Sequence, residues 1–251
     1  MCDAVDLREL LQSWPYDPED NLRVARGADG REILQVRLPC GLEQFEMEGR
    51  PDGLPPCEME SWLDYQEDRF QQAQARGEAA DFELTEAECA QLFEEGTLYY
   101  FRYLRLFELK DWARTARDTQ RSLRLFDFVS WHATRPEDRQ HLEQWRPYVL
   151  RIHATAAAMF EVDRGQLDQA LALLQAFVEK IEALEELKVQ TFQFERRRSL
   201  AVLRELADQI RQARPLSEQE RLEQELRRAV ANEEFEQAAR LRDRLRGLRG
   251  P

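Results

Sequence analysis

Lysine is almost missing from this chain: Lys110, Lys180 and Lys188 stand against 33 arginines. No lysine follows a glycine, which excludes the G-x-x-x-x-G-K loop that cradles nucleotide phosphates. No two glycines stand one residue apart, so the dinucleotide fingerprint is missing too. Cysteine is sparse. Cys2, Cys40, Cys57 and Cys89 lie far apart with no C-x-x-C pair, which argues against a zinc ribbon and a secreted disulfide framework. The three histidines are His132, His141 and His153, and no two of them are spaced as an i,i+4 metal pair or belong to a nucleophile motif. Neither a metal nor another cofactor is expected. No apolar run approaches the length of a membrane span, and the first residues are acidic instead of basic and then apolar. The expectation is a cytoplasmic protein with no membrane partner.

What is abundant is charge. Asp and Glu number 49 against 36 Lys and Arg, a net charge of -13. Such a surface repels duplex nucleic acid unless its positive charge is segregated. Residues 196–251 hold 14 Arg and 10 acids, so the mild positive excess falls in the last segment, including Arg196–Arg198. A mixed-sign helical tail explains this balance, and direct nucleic-acid binding is possible without being expected.

Prolines and glycines concentrate before residue 60, where β structure is expected. Leu22–Arg26 and Glu32–Leu38 alternate around Gly27-Ala-Asp-Gly30, the pattern of a β-hairpin. Phe45 and Met47, between Gly41 and Gly49, offer a third strand, and Val5–Trp14 a short helix stopped by Pro15 and Pro18. The single apolar face of such a meander must pack on the helices that follow.

From Glu58 the pattern turns helical. Met59, Trp62, Leu63 and Phe70 fit a helix ending near Gly77, and Thr85 with Glu88 forms a capping box. Leu98–Leu109 is apolar nearly all round, which predicts a central buried helix. Two stretches then look alike: Leu98–Leu109 and Tyr148–Phe160 each lead through a tight turn, at Lys110 and Gly165, into an amphipathic run. Each is similar to a tetratricopeptide-type hairpin, but a separation of 55 residues departs from the ~34 of that repeat. Leu167–Arg214 has neither Gly nor Pro, and its register breaks across Thr191–Arg198. Two helices, or one with a stutter partly in a coiled coil, fit this pattern.

Pro215 stops that run, and Ser217 with Glu220 forms a second capping box. Leu222, Leu226 and Ala229 then line one helix face. After a break at Ala231–Glu233, Phe235, Ala238, Leu241 or Arg242, Leu245 and Leu248 line another. This stretch, Leu222–Leu248, resembles the UVR motif found at the end of the excision-repair helicase subunit UvrB and within its nuclease partner UvrC. Phe235-Glu236, Ala238-Ala239 and Leu241-Arg242-Asp243 carry the likeness with the leucines and Ala229. The resemblance implies a helical hairpin that docks on another protein or on itself. Similar modules occur in the activator of the bacterial protein-arginine kinase and in some Clp-type unfoldases. It therefore makes Leu222, Leu226, Ala229, Phe235, Ala238, Leu241, Arg242, Leu245 and Leu248 the candidate partner-binding residues.

The expected fold class is mainly α. A small N-terminal antiparallel β element (1–56) precedes a helical-hairpin body (57–214) and a C-terminal UVR hairpin (215–251). The chain lacks the GIY-YIG stretch and the zinc-binding cysteine pairs of the motif's enzymatic and kinase-activating bearers, so the expectation is an adaptor with no catalytic residues. Runs such as Glu43, Glu46 and Glu48, or Glu185 and Glu186, read as solvated faces. A metal-dependent hydrolase or nuclease assembled from scattered helical acids stays open on sequence alone. The aromatic residues Tyr99–Tyr103, Trp112, Phe126, Phe128, Trp131 and Trp145 read first as core, with a ligand groove as the alternative.

Overall fold

A computed structural model describes residues 6–213 and 218–248 of the chain, which divides into two compact units, Met1–Leu206 and Ala207–Pro251. The protein is mainly α-helical, with one small antiparallel sheet near its N-terminus.

In the first unit a short helix α1 (Arg8–Ser13) precedes strands β1 (Leu22–Arg26), β2 (Glu32–Leu38) and β3 (Gly41–Glu46). The order is β1-β2-β3, with Val24 opposite Leu34 and Leu34 opposite Phe45. Gly30, at φ +85°, supplies the left-handed residue that the first turn requires. Leu34, Val36, Phe45 and Met47 form the expected apolar face and pack on Leu106. The other face of β2 is also covered. There Arg37 donates to the Trp14 carbonyl at 2.8 Å, and the Arg23 guanidinium lies 3.9 Å from the centre of the Trp14 ring.

The helical body comprises α2 (Trp62–Ala75), α3 (Glu86–Glu108), α4 (Trp112–His132), α5 (Pro136–Glu143), α6 (Arg146–Asp163), α7 (Leu167–Glu182) and the start of α8 (Gln190–Ala213). Ser61 caps α2, and the Thr85–Glu88 capping box opens α3 as the sequence predicts. Helix α4 buries Thr115, Thr119, Ser122, Phe126 and Val129 at helical spacing, and packs against both α3 and α6. The small residues Ala154 and Ala158 on α6 are fully buried and allow helices to approach closely.

The two similar stretches turn in the same way. Lys110 and Gly165 are both left-handed, at φ 59° and 74°. Asp111 donates to the Leu106 carbonyl at 2.9 Å and Gln166 to Glu161 at 2.8 Å, each closing a Schellman turn. Helices α3–α4 and α6–α7 are therefore two alike hairpins.

Two expectations change. Leu98–Leu109 is not buried all round: Tyr100 and Phe101 are exposed, while Arg102 is buried. Arg102 is satisfied there, donating to both Asp118 oxygens at 2.6 and 2.9 Å and to the Glu46 and Gly49 carbonyls at 2.7 and 2.8 Å. It thus ties the end of β3 to α3 and α4. Likewise, the helix break between Leu167 and Arg214 lies at residues 183–189, upstream of Thr191–Arg198, which is helical. Arg196 donates to the carbonyl of Glu182 at 2.5 Å, satisfying one of the orphan groups that end α7. The run is two helices.

A second buried polar cluster fixes α2. Fully buried Glu95 accepts from the backbone N–H groups of Trp62 and Leu63 at 2.7 and 3.1 Å, and pairs with Arg50 and Arg121. A carboxylate at the first turn of α2 also complements the helix dipole.

Candidate interaction sites

The second unit contains α9 (Glu218–Ala231) and α10 (Phe235–Leu248), which pack on each other. The turn between them repeats the pattern seen twice in the body. Glu233 is left-handed at φ 60°, Glu234 donates to the Ala229 carbonyl at 2.8 Å, and Glu233 donates to Val230 at 3.1 Å. Ser217 and the side chains of Glu220 and Leu248 lie outside the described residues.

The structure divides the sequence-predicted residues into two groups. Leu222, Ala229, Ala238, Leu241 and Leu245 are buried against one another, with Leu226 packed at the edge. These residues hold the hairpin together, and Leu226 and Leu245 also line a surface groove. The reason is spacing: apolar positions three and four apart on both helices can close on each other across a short turn. Phe235 is the reverse case. It occupies the first position of α10, is 70% exposed, and has exposed Val230 nearby in sequence across the turn. Arg242 is also exposed. With Arg227, Arg246, Glu223, Leu226 and Leu245 it lines a shallow groove of about 490 Å³ on the hairpin. An apolar floor with mostly basic sides suits an acidic, amphipathic surface.

The histidines and carboxylates singled out by sequence are dispersed. His132 sits among Phe70, Phe82 and Phe128, and burial lowers its pKa. His141 stacks on Phe93 at 4.3 Å. The Nδ1 of His153 lies 2.9 Å from Thr119 Oγ1 and 3.1 Å from the Ala116 carbonyl, and burial lowers its pKa also. Glu46 pairs with Arg31, Glu48 pairs with Arg114 and Arg117, and Glu185 and Glu186 are exposed. Among the described residues no three His, Cys, Asp or Glu side chains are placed to hold a metal ion. Cys40 and Cys57 are exposed, and burial pushes the Cys89 thiol up to about 11, far from nucleophilic use. No described helix is long and apolar enough to cross a membrane.

The aromatic residues separate into distinct sets. Trp112 packs on Phe107, Phe128 joins the cluster around His132, and Trp131 stands on the surface. Tyr100, Phe101, Tyr103, Phe126 and Trp145 come together as walls of an open groove in the helical body. Sequence reasoning listed these rings but missed Tyr148, Glu195 and Gly96, which complete the groove. None of the three stands out by periodicity.

No curated protein and no solved structure matches the chain. Residues 217–250 match the family model of the UvrB/uvrC motif, and the match is confined to the C-terminal region. The hairpin of α9 and α10 is thus a UvrB/uvrC motif attached to a helical body.

Proposed function

We infer that this is a non-enzymatic, cytoplasmic interaction protein whose C-terminal UVR hairpin docks on another protein or on a second copy of itself. The observation that carries the reading is Phe235. A large aromatic side chain is left in solvent on a motif whose own core is already filled by its leucines and alanines. Exposed aromatic side chains are frequent anchors of protein interfaces. The basic groove around Arg242 supplies charge complementarity to an acidic partner surface and would speed its encounter. Through that partner the protein would serve nucleotide-excision repair, or the stress and proteolysis machinery in which similar modules occur.

The experiment is affinity capture with the full chain and with Phe235→Asp, read by quantitative mass spectrometry and by sedimentation. The expected result is a partner, or a self-associated species, that the variant loses while its helical content stays unchanged. Identical capture and sedimentation by the two proteins would refute the reading. Loss of capture on adding salt, with binding to duplex DNA at low salt, would point instead to the exposed arginines and nucleic acid.

A further inference from the structure

The groove in the helical body has a volume of about 670 Å³, within the range of small-ligand sites, and is built by α3, α4, α5, α6 and the start of α8. Three of the rings on its walls keep much of their surface in solvent, Tyr100 at 37%, Phe101 at 46% and Trp145 at 42%. Tyr100 lies 5.4 Å from Phe101 and 6.2 Å from Tyr148, both at oblique angles, and Trp145 packs on no other ring among the described residues. Ring surface is thus left open to the groove, where a flat guest can stack.

Of the hydroxyl groups on the groove, all but one are engaged. Thr97 Oγ1 donates to the Phe93 carbonyl at 3.0 Å and Ser122 Oγ to the Asp118 carbonyl at 3.0 Å, each within its own helix. The Tyr100 and Tyr148 hydroxyls interact with each other. Tyr103 is different. It is 2% exposed and lines the groove, and its hydroxyl takes part in no hydrogen bond among the described residues. Nor is that oxygen sealed off, as Arg121 Nη1 and Glu195 Oε2 are. A phenol held nearly buried without a partner is costly to keep unless something fills its place. Burial also pushes its pKa well above the ordinary tyrosine range, so it stays a protonated donor.

Gly96, in the middle of α3, makes room on the groove wall. Glycine is among the poorest residues for a helix interior. A Cβ at this position would meet only Leu125, at 3.9 Å, so packing does not demand glycine here. The charges of the groove are already matched. Glu195 is ion-paired with Arg151 and Arg198, the Arg151 guanidinium stands 5.0 Å from the centre of the Tyr148 ring, and Glu94 is exposed to water. A charged guest would lose hydration without gaining a counter-ion, whereas a neutral one loses little.

We propose that this groove binds an uncharged aromatic ring system that carries a carbonyl oxygen, of the class of the aryl ketones. The rings of Tyr100, Phe101 and Trp145 take the guest's face, and the Tyr103 hydroxyl donates to its carbonyl. The site lies in the first unit and is independent of the hairpin, so Phe235→Asp leaves it intact and the two readings fail separately.

The test is isothermal titration of the full chain with 2-acetylnaphthalene, and with 2-naphthoate and 2-naphthylmethylammonium as its charged analogues. Saturable binding of the ketone is expected, with each charged analogue weaker by at least about tenfold. Tyr103→Phe removes only the unpartnered hydroxyl, so its melting temperature should not fall, while its affinity for the ketone drops about five- to tenfold. Gly96→Leu fills the groove without touching Tyr103, and its thermal melt reports whether the fold holds. It should weaken ketone binding by at least about tenfold, and Tyr103→Phe decides the matter if Gly96→Leu fails to fold. The proposal is overturned if the ketone does not saturate by about 1 mM. Equal binding of a charged analogue, or unchanged ketone binding in Tyr103→Phe or in folded Gly96→Leu, overturns it as well. A lowered melting temperature in Tyr103→Phe would show that the hydroxyl already has a partner in the protein, and would also overturn it.

Discussion

Replacing Arg102 with methionine keeps much of its apolar stem and removes the cation that Asp118 faces. Both side chains are about 1% exposed, so Asp118 would be left buried with only Arg117 beside it. Stranding one member of a buried pair costs about 3–5 kcal/mol, whereas replacing both members is close to neutral. Urea denaturation should show that loss for Arg102→Met and recovery of at least half of it in Arg102→Met/Asp118→Leu. Equal loss in the single and double variants would contradict this account of the pair. His132 and His153 act in another way. Burial holds both imidazoles below their ordinary range, so the folded state resists protons that the unfolded chain takes up at about pH 6.5. Their stabilising contribution is complete above that value and is lost as pH falls through it toward the lowered folded values. The urea midpoint should fall between pH 7 and pH 5, less steeply in His153→Gln. A slope that the substitution leaves unaltered would show that His153 does not carry the effect.

At the scale of elements, the recurring device is a left-handed residue closing a helix. Gly165 performs it without strain, while Lys110 and Glu233 perform it with a Cβ in a conformation L residues avoid. Glu233→Gly should therefore stabilise the hairpin by roughly 0.5–1 kcal/mol. The readout is amide exchange in α9 and α10, which should slow. Faster exchange would mean that the Glu233 side chain contributes more than its backbone costs. The same contrast explains what was legible in the sequence. The β-hairpin announced itself through Gly30 and alternation, and α3 through Thr85 and Glu88, because those signals are local. The break between α7 and α8 carries no glycine or proline, and part of what stabilises it is Arg196, 14 residues from the carbonyl it satisfies. The burial of Arg102 was likewise invisible, since Asp118 and two carbonyls near the end of β3 become its partners only in three dimensions. Hydropathy could gather Tyr100, Phe101 and Trp145 into one aromatic set, but it could not tell a groove from a core.

For the whole molecule, a net charge of -13 coexists with an arginine-rich C-terminal hairpin whose buried residues serve its own packing. The motif was legible because its leucines, alanines and Phe235 recur at fixed spacing. Their division between interior and surface was not, since one helix face in sequence serves equally for a partner or for the neighbouring helix. That division concentrates the interaction hypothesis on Phe235 and the basic groove near Arg242. The most direct measurement is sedimentation and affinity capture of the full chain against Phe235→Asp, with circular dichroism to verify that both are folded. The account predicts that the variant keeps its helicity and loses its partner or its self-association. A folded variant that sediments and captures as the unaltered chain does would contradict it.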